Sequence, residues 1–217
     1  MSASTIVIPH LFSQGHRRIV EPGRNLWLAA SPAVTMAFVT GGDALVTAFD
    51  HRSCDDVALD LVTAGHLLGH EALLDVAGRT TTVRAVTRLS LTVVHIRDAR
   101  DAIARDGRCA AELVDLLAKR VASRDRAAAA GRDPIVETRV VSWLVHLARD
   151  RDQGTGTAVV PLGQAELAQL CATRRPTLNR VLRGLAERGL VEVGRGRVIV
   201  RDIDALECGE PLTALAS

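Results

Sequence analysis

The sequence predicts an α+β protein: a β-roll in the N-terminal half, one long helix, and a winged helix-turn-helix at the C-terminal end. Three observations carry this reading. Short apolar runs separated by turn residues fill residues 19–96, and Cys109–Ala130 contains neither proline nor glycine. Two short helical patterns then precede a glycine-centred hairpin. The expected boundaries are 1–108 for the roll with its flanking short helices, 109–131 for the long helix and 132–217 for the winged domain. With 217 residues, 47% of them apolar, the chain can bury a core of that extent.

In the first region, "AVTMAFVTGGDALVTAF" (Ala33–Phe49) reads as a β-hairpin around Gly41-Gly42-Asp43, since glycine tolerates the positive φ of a tight turn. "VALDLVTAGHLLG" and "TTTVRAVTRLSLTVVHI" continue the pattern. Val83, Ala85, Thr87, Leu89 and Leu91 alternate with Arg84, Val86, Arg88 and Ser90, as in strands with one face more buried. Several short strands of this kind imply a small barrel or roll. Asp98 is placed to cap a short helix to about Arg105, which "DGR" (Asp106–Arg108) breaks.

Along the long helix, Leu113, Leu116, Leu117, Val121 and Ala128 recur at helical spacing. They suit a helix packed on the roll and, equally, the seam of a two-chain coiled coil. Gly131 ends it, and Asp133-Pro134 starts a helix carrying Val136, Val140, Trp143, Leu144 and Leu147. "RDRDQGTGT" (Arg149–Thr157) is a polar loop.

Net charge is only +2, so no global field announces a polyanionic partner, but the charge is uneven. From Pro161 to Arg201, Arg174, Arg175, Arg180, Arg183, Arg188, Arg195, Arg197 and Arg201 face only Glu166, Glu187 and Glu192. Here Gln164–Ala172 forms a first helix with Gly163 at its N-cap, and "ATR" (Ala172–Arg174) is a tight connection. Arg175 and Pro176 open a second helix to about Arg188, with Leu178, Val181, Leu182 and Leu185 on its apolar face. Gly189 stops it, and "LVEVGRGRVIV" folds as a hairpin turning at Gly194-Arg195-Gly196. Such a second helix fits the major groove of DNA. Arg175, Thr177, Asn179 and Arg180 are the candidate base readers, because arginine can hold guanine, and asparagine adenine, through paired hydrogen bonds. Arg174, Arg183, Arg195 and Arg197 suit phosphates, and Pro176 leaves the other N–H groups of the first turn as donors. A merely solvated face would interleave more acids.

The segment "QAELAQLCATRRPTLNRVLRGLAERGLVEVGRGRVIV" resembles the DNA-binding domain of the Crp/Fnr superfamily of bacterial transcription regulators. Arg174–Leu182 follows its recognition-helix signature, with Arg175 and Arg180 on the two DNA-reading arginines. Pro176 stands where well-known members carry an acidic base-contacting residue, so their operator consensus is not expected to transfer. The resemblance covers nearly the whole chain and implies a cyclic-nucleotide-binding-like jelly roll, homodimerisation through the long helix, and an inverted-repeat operator on double-stranded DNA. It also admits RNA polymerase as a partner.

In nucleotide-binding members a cassette of the form G-E-L, short helix, R-[ST]-A-x-V-x-A holds the phosphate. Here "GHEALLDVAGRTTTVRA" (Gly69–Ala85) supplies Gly69, Arg79 and Thr80, but His70 replaces the ribose-binding glutamate, with Glu71 adjacent. Arg124 and Asp125 stand where an adenine-contacting threonine and serine are found. The resemblance therefore implies a regulator not dependent on cAMP in the usual way, with cyclic nucleotide a candidate ligand for a degenerate pocket. The alternative is a small-molecule sensor acting mainly through protein contacts.

Cys54, Cys109, Cys171 and Cys208 form no CxxC pair, which fits a reducing cytoplasm better than a disulfide framework. No N-terminal cysteine cluster suggests an iron–sulfur centre, and His66, His70, His51 and Cys54 lack a haem or zinc spacing; no cofactor or metal is expected. No apolar run approaches a membrane span, and no P-loop, HExxH or nucleophile–base motif suggests an enzyme.

Overall fold

The computed structural model describes residues 7–50, 55–74 and 78–209. The chain forms two compact units, residues 1–124 and 125–217, divided inside the long helix.

In the first unit, β1 (His16–Val20), β8 (Leu89–His95), β3 (Thr35–Gly41) and β6 (Leu67–Leu68) make one antiparallel sheet in that order. A second sheet runs β2 (Asn25–Trp27), β7 (Thr82–Ala85), β4 (Ala44–Asp50) and β5 (Asp55–Val62). Val39, Leu89, Leu91 and Val93 of the first share one core with Leu26, Val46, Val62 and Val83 of the second, so the sheets pack face to face. The first sheet is covered on its other face too. Met36, Phe38 and Val94 pack with Leu11 and Phe12 of a 3-10 turn (His10–Phe12), with α1 (Ile96–Arg105), and with Cys109, Leu113 and Leu116 of α2 (Gly107–Gly131). Double burial explains why β8 is buried continuously from Leu91 to Val94, Thr92 included, rather than on alternate residues.

Gly41-Gly42-Asp43 is a turn but not a hairpin. β3 and β4 belong to different sheets, and the chain crosses between them here. The crossing from β7 to β8 lies against it: Val86 N–H donates to Asp43 O at 2.9 Å, and Asp43 N–H to Thr87 Oγ1 at 2.8 Å. Gly42 has φ +79°, and a Cβ there would fall 2.2 Å from the Arg88 carbonyl oxygen. Two corners pressed together require glycine for contact as well as conformation. α1 is capped by His95 and not by Asp98: His95 accepts from Arg97 N–H at 3.2 Å, and Asp98 lies inside the first turn.

On α2 the buried positions are Cys109, Leu113, Leu116, Arg120, Ser123, Ala127 and Ala130, an alternating four–three spacing. Arg120 donates from Nη1 to Asp60 Oδ2 of β5 at 2.6 Å, with both side chains about 5% exposed or less. Beside this stripe, Val114 is 63% and Val121 57% exposed. Of the residues expected on one face, Leu113 and Leu116 enter the roll's core, Leu117 is half-buried, and Val121 and Ala128 are exposed.

The second unit contains α3 (Val136–Arg149), β9 (Ala158–Val160), α4 (Gln164–Leu170), α5 (Arg175–Glu187), β10 (Val191–Gly194), β11 (Arg197–Val200) and α6 (Ile203–Cys208). α3 begins two residues later than Asp133-Pro134 suggests, because the Asp133 carboxylate accepts the Ile135 N–H at 2.8 Å in a local turn. The wing has three strands, ordered β10-β11-β9, rather than two. Trp143, Leu144, Leu147, Leu167, Leu178, Leu182, Leu185, Val198 and Leu206 lie buried in this unit.

α4 and α5 end alike, with one difference. After α5, Gly189 adopts φ +76°, its N–H reaches Ala186 O and the next N–H reaches Leu185 O. After α4 the same two bonds form (Ala172 N–H to Gln169 O, Thr173 N–H to Ala168 O), but the left-handed residue is Ala172, φ +45°. Among the described residues, no helix is long and apolar enough to cross a membrane.

Two consequences can be measured. Asp60→Ala should lower unfolding stability in urea titrations by about 3–5 kcal/mol by leaving Arg120 buried and unpaired, while Asp60→Leu with Arg120→Met should lose less. Ala172→Gly should raise the stability of the second unit by roughly 1 kcal/mol, read as a higher thermal midpoint, because glycine removes the left-handed penalty.

Candidate nucleic-acid interface

α5 is anchored from below and bare above. Leu178, Leu182 and Leu185 are buried, and the opposite face, by helical period, carries Pro176, Arg180, Arg183 and Glu187, all exposed. Its N-cap, Arg174, makes no side-chain capping bond, and no acidic residue lies in the first turn. Two arginines therefore start a helix whose exposed N–H groups already concentrate positive charge. Anions are stabilising at such a place, and among the described residues none is supplied there.

The remaining arginines divide clearly. Arg188 pairs with Glu137 at 3.5 Å and also meets the Gly209 carbonyl, while Arg201 pairs with Glu192. Arg175 donates to Gln164 Oε1 at 3.3 Å, which steadies it at the helix start. Arg174, Arg180, Arg183, Arg195 and Arg197 are exposed and, among the described residues, paired with no carboxylate. Arg195 and Gly196 form the tip of the β10–β11 hairpin, where Gly194 pairs with Arg197 and Gly196 takes φ +70°. Arg195 and Arg197 so flank an exposed wing tip. Thr177 is half-buried beside Arg180 in a depression shared with Ile135, Glu137 and Val181. Asn179 fits its expected role less well: it is half-buried and its Oδ1 is shielded from solvent without a hydrogen-bond partner.

One residue that the sequence reading missed is Arg139 on α3. It donates from Nε to Cys171 O at 2.6 Å and from Nη2 to Ala172 O at 3.3 Å, both at the end of α4, and from Nη1 to Asp133 O at 2.5 Å. Nothing in a single arginine on a helix of alternating polarity signals carbonyl acceptors more than thirty positions away. Burial pushes the neighbouring Cys171 thiol up to about 12, so it stays protonated at neutral pH.

In the first unit the expected effector residues come together only in part. A cavity of about 250 Å³ is lined by Trp27, Gly69, His70, Glu71, Thr80 and Arg124 among others. Arg79 is not on its wall. Its side chain is buried, donating to Glu71 Oε1 at 3.2 Å and to Thr35 O and Oγ1 at 2.9 Å each, with its guanidinium carbon 3.6 Å from the centre of the Trp27 ring. Gly69 makes this possible: with φ +75°, a Cβ there would lie 2.8 Å from Arg79 Nη1. Burial outweighs the Glu71 carboxylate and holds the His70 imidazole below its ordinary value. Asp125 lies outside the cavity, in the second unit. His51 and Cys54 fall outside the described residues, and among the described ones no group of three His, Cys, Asp or Glu is arranged to hold a metal.

Residues 138–208 match the family described as the Crp-like helix-turn-helix domain. Over 191 residues the chain is 30% identical to the cyclic AMP receptor protein of Thermus thermophilus, covering 88% of this chain and 86% of that one. FixK2 from Bradyrhizobium japonicum has the same fold, with a TM-score of 0.77 at 15% identity over 90% of this chain and 97% of that one. A CRP-family transcriptional regulator from Thermus thermophilus gives 0.72 at 22% identity, covering 90% and 98%. With a roll, a long helix and a winged domain in that order, and with identity extending over most of both chains, the protein belongs to the Crp/Fnr family of DNA-binding transcription regulators.

Proposed function

We propose that the protein is a homodimeric, sequence-specific regulator that reads an inverted-repeat operator in the cytoplasm and catalyses no reaction. The observation that carries this reading is the start of α5, where arginines crowd an uncapped helix N-terminus and lack acidic partners. A DNA phosphate supplies the missing negative charge, and Arg175 and Arg180 then reach base edges. Arg174, Arg183, Arg195 and Arg197 hold the backbone and set the register.

The second stripe of α2 supports dimerisation. Val114, Leu117, Val121 and Ala128 repeat at the spacing of a coiled-coil seam, and Val114 and Val121 are exposed. Leu113 and Leu116 take no part in that seam, being engaged by the roll. Two such chains would place their reading helices in successive major grooves about 34 Å apart. RNA polymerase would be the protein partner if the regulator activates.

The effector reading is that cAMP does not act in the usual way, although the relative's name indicates that it binds cAMP. The arginine expected on the nucleotide phosphate lies off the cavity wall and is already engaged by Glu71, Thr35 and Trp27, so a phosphate would compete with these partners. Each lost charge-assisted bond weakens binding by a further factor.

The operator assignment is checked by gel mobility shift on an inverted-repeat duplex selected from a random pool. Arg180→Ala should weaken binding at least tenfold, and Arg183→Ala should reduce the slope of log affinity against log salt by about 1. Val121→Arg should convert a dimer to a monomer in sedimentation. Isothermal calorimetry with cAMP at up to millimolar concentration should show no saturable heat; micromolar binding would refute the effector reading.

A further inference from the structure

The guanidinium of Arg139 joins two pieces of chain that α3 itself does not connect. Two of its bonds go to the carbonyls of Cys171 and Ala172, and the third goes to the carbonyl of Asp133. The acceptors explain why the residue is arginine. At the end of α4 the N–H groups of Ala172 and Thr173 already turn back onto the helix, which leaves the carbonyls of Cys171 and Ala172 outside the helical ladder. They sit at the negative end of α4, where a cation is favourable, and they are adjacent, so a planar fork can span both. An ammonium group carries the charge without the fork.

The same contact bears on the strained residue. Ala172 holds φ +45°, whereas the equivalent position after α5 is filled by Gly189. An alanine persists in the left-handed region only where its surroundings over-determine it, and the bond from Arg139 to its carbonyl is one such restraint. Immediately downstream lie Arg174 and Arg175. The turn therefore sets where α5 begins and in which direction its first residues project. The third bond reaches the segment 132–135, which leads from α2 into α3 and whose Asp133 carboxylate is folded onto Ile135 N–H.

We infer that Arg139 is a positioning residue for DNA reading: it clamps the α4–α5 turn to the segment ahead of α3, fixes the aim of Arg174, Arg175 and Arg180, and makes that aim depend on where the segment lies. The inference rests on the DNA-reading role assigned to α5. The clamp is separable from packing, because Leu178, Leu182 and Leu185 hold α5 against its own unit whatever the turn does. Loss of the clamp leaves the helix in place and its first turn loose. It then removes discrimination between sequences and leaves phosphate attraction largely intact, since Arg183, Arg195 and Arg197 lie away from the turn and Arg174 keeps its charge whichever way it projects.

The test uses the full-length protein with Arg139→Lys and Arg139→Gln. Two duplexes of equal length are compared, the inverted repeat selected by the wild type and a scrambled version. Both variants should lose at least tenfold in affinity for the selected duplex and stay within about twofold on the scrambled one, with an unchanged salt slope. Lysine should fail as glutamine does. A lysine variant that keeps full discrimination overturns the inference, as does an equal loss on both duplexes. Should Arg139→Lys not fold, the same comparison is made in an Ala172→Gly background, where the turn no longer needs restraint to exist and loss of discrimination is still expected. Failure of the wild type to select any duplex would instead strike at the DNA-reading role itself.

Discussion

A helix that opens with two arginines works against its own electrostatics. The N-terminus of α5 gathers the positive end of the peptide dipoles, Pro176 removes one N–H, and no side chain caps the rest. Such an end is tolerable only if the helix is held from elsewhere, and the winged unit is arranged to do that. Three leucines bury the underside, the strands of the wing continue from its C-terminus, and the turn in front of it is closed by backbone bonds and a guanidinium clamp. What the scaffold leaves unsatisfied is charge, and the complement of that charge is a nucleic-acid backbone.

The β-roll does the opposite: its buried Arg79 is engaged by the roll's own residues. Arg79 is held by a carboxylate, a hydroxyl, a carbonyl and an indole face, and Gly69 leaves room for its guanidinium. A buried guanidinium is tolerated only with partners of this number and kind, since an unpaired one would carry a large desolvation penalty. Arg120 is held less completely: it ties α2 to β5 through Asp60, while its buried Nε has no hydrogen-bond partner. Both pairs reach the cavity, one through Glu71 and the other through Arg120. The roll's electrostatics are thus largely closed, whereas those of the winged unit are open.

The helix α2, which the two units share, carries two stripes. The heptad-like spacing of Cys109, Leu113, Leu116, Arg120, Ser123, Ala127 and Ala130 places one stripe inward, and Val114, Leu117, Val121 and Ala128 form a second stripe beside it. A one-dimensional pattern mixes the two. In sequence the residues of both faces form a single pattern, and only burial separates Leu113 and Leu116 from Val121 and Ala128.

Periodicity, turn chemistry and local charge were legible from the residues alone: the succession of strands, long helix and helix-turn-helix, the limits of α5, and the arginines at its head. These depend on neighbours a few positions apart, which the sequence displays directly. The assignment of Gly41-Gly42-Asp43 to a sheet corner, the third wing strand, the engagement of Arg79 by Thr35 and the clamp by Arg139 on the end of α4 all depend on partners tens of positions distant. Nothing local distinguishes an arginine that will meet a ligand from one that will meet its own chain. That choice is made by which carbonyls, carboxylates and rings the fold carries into its reach.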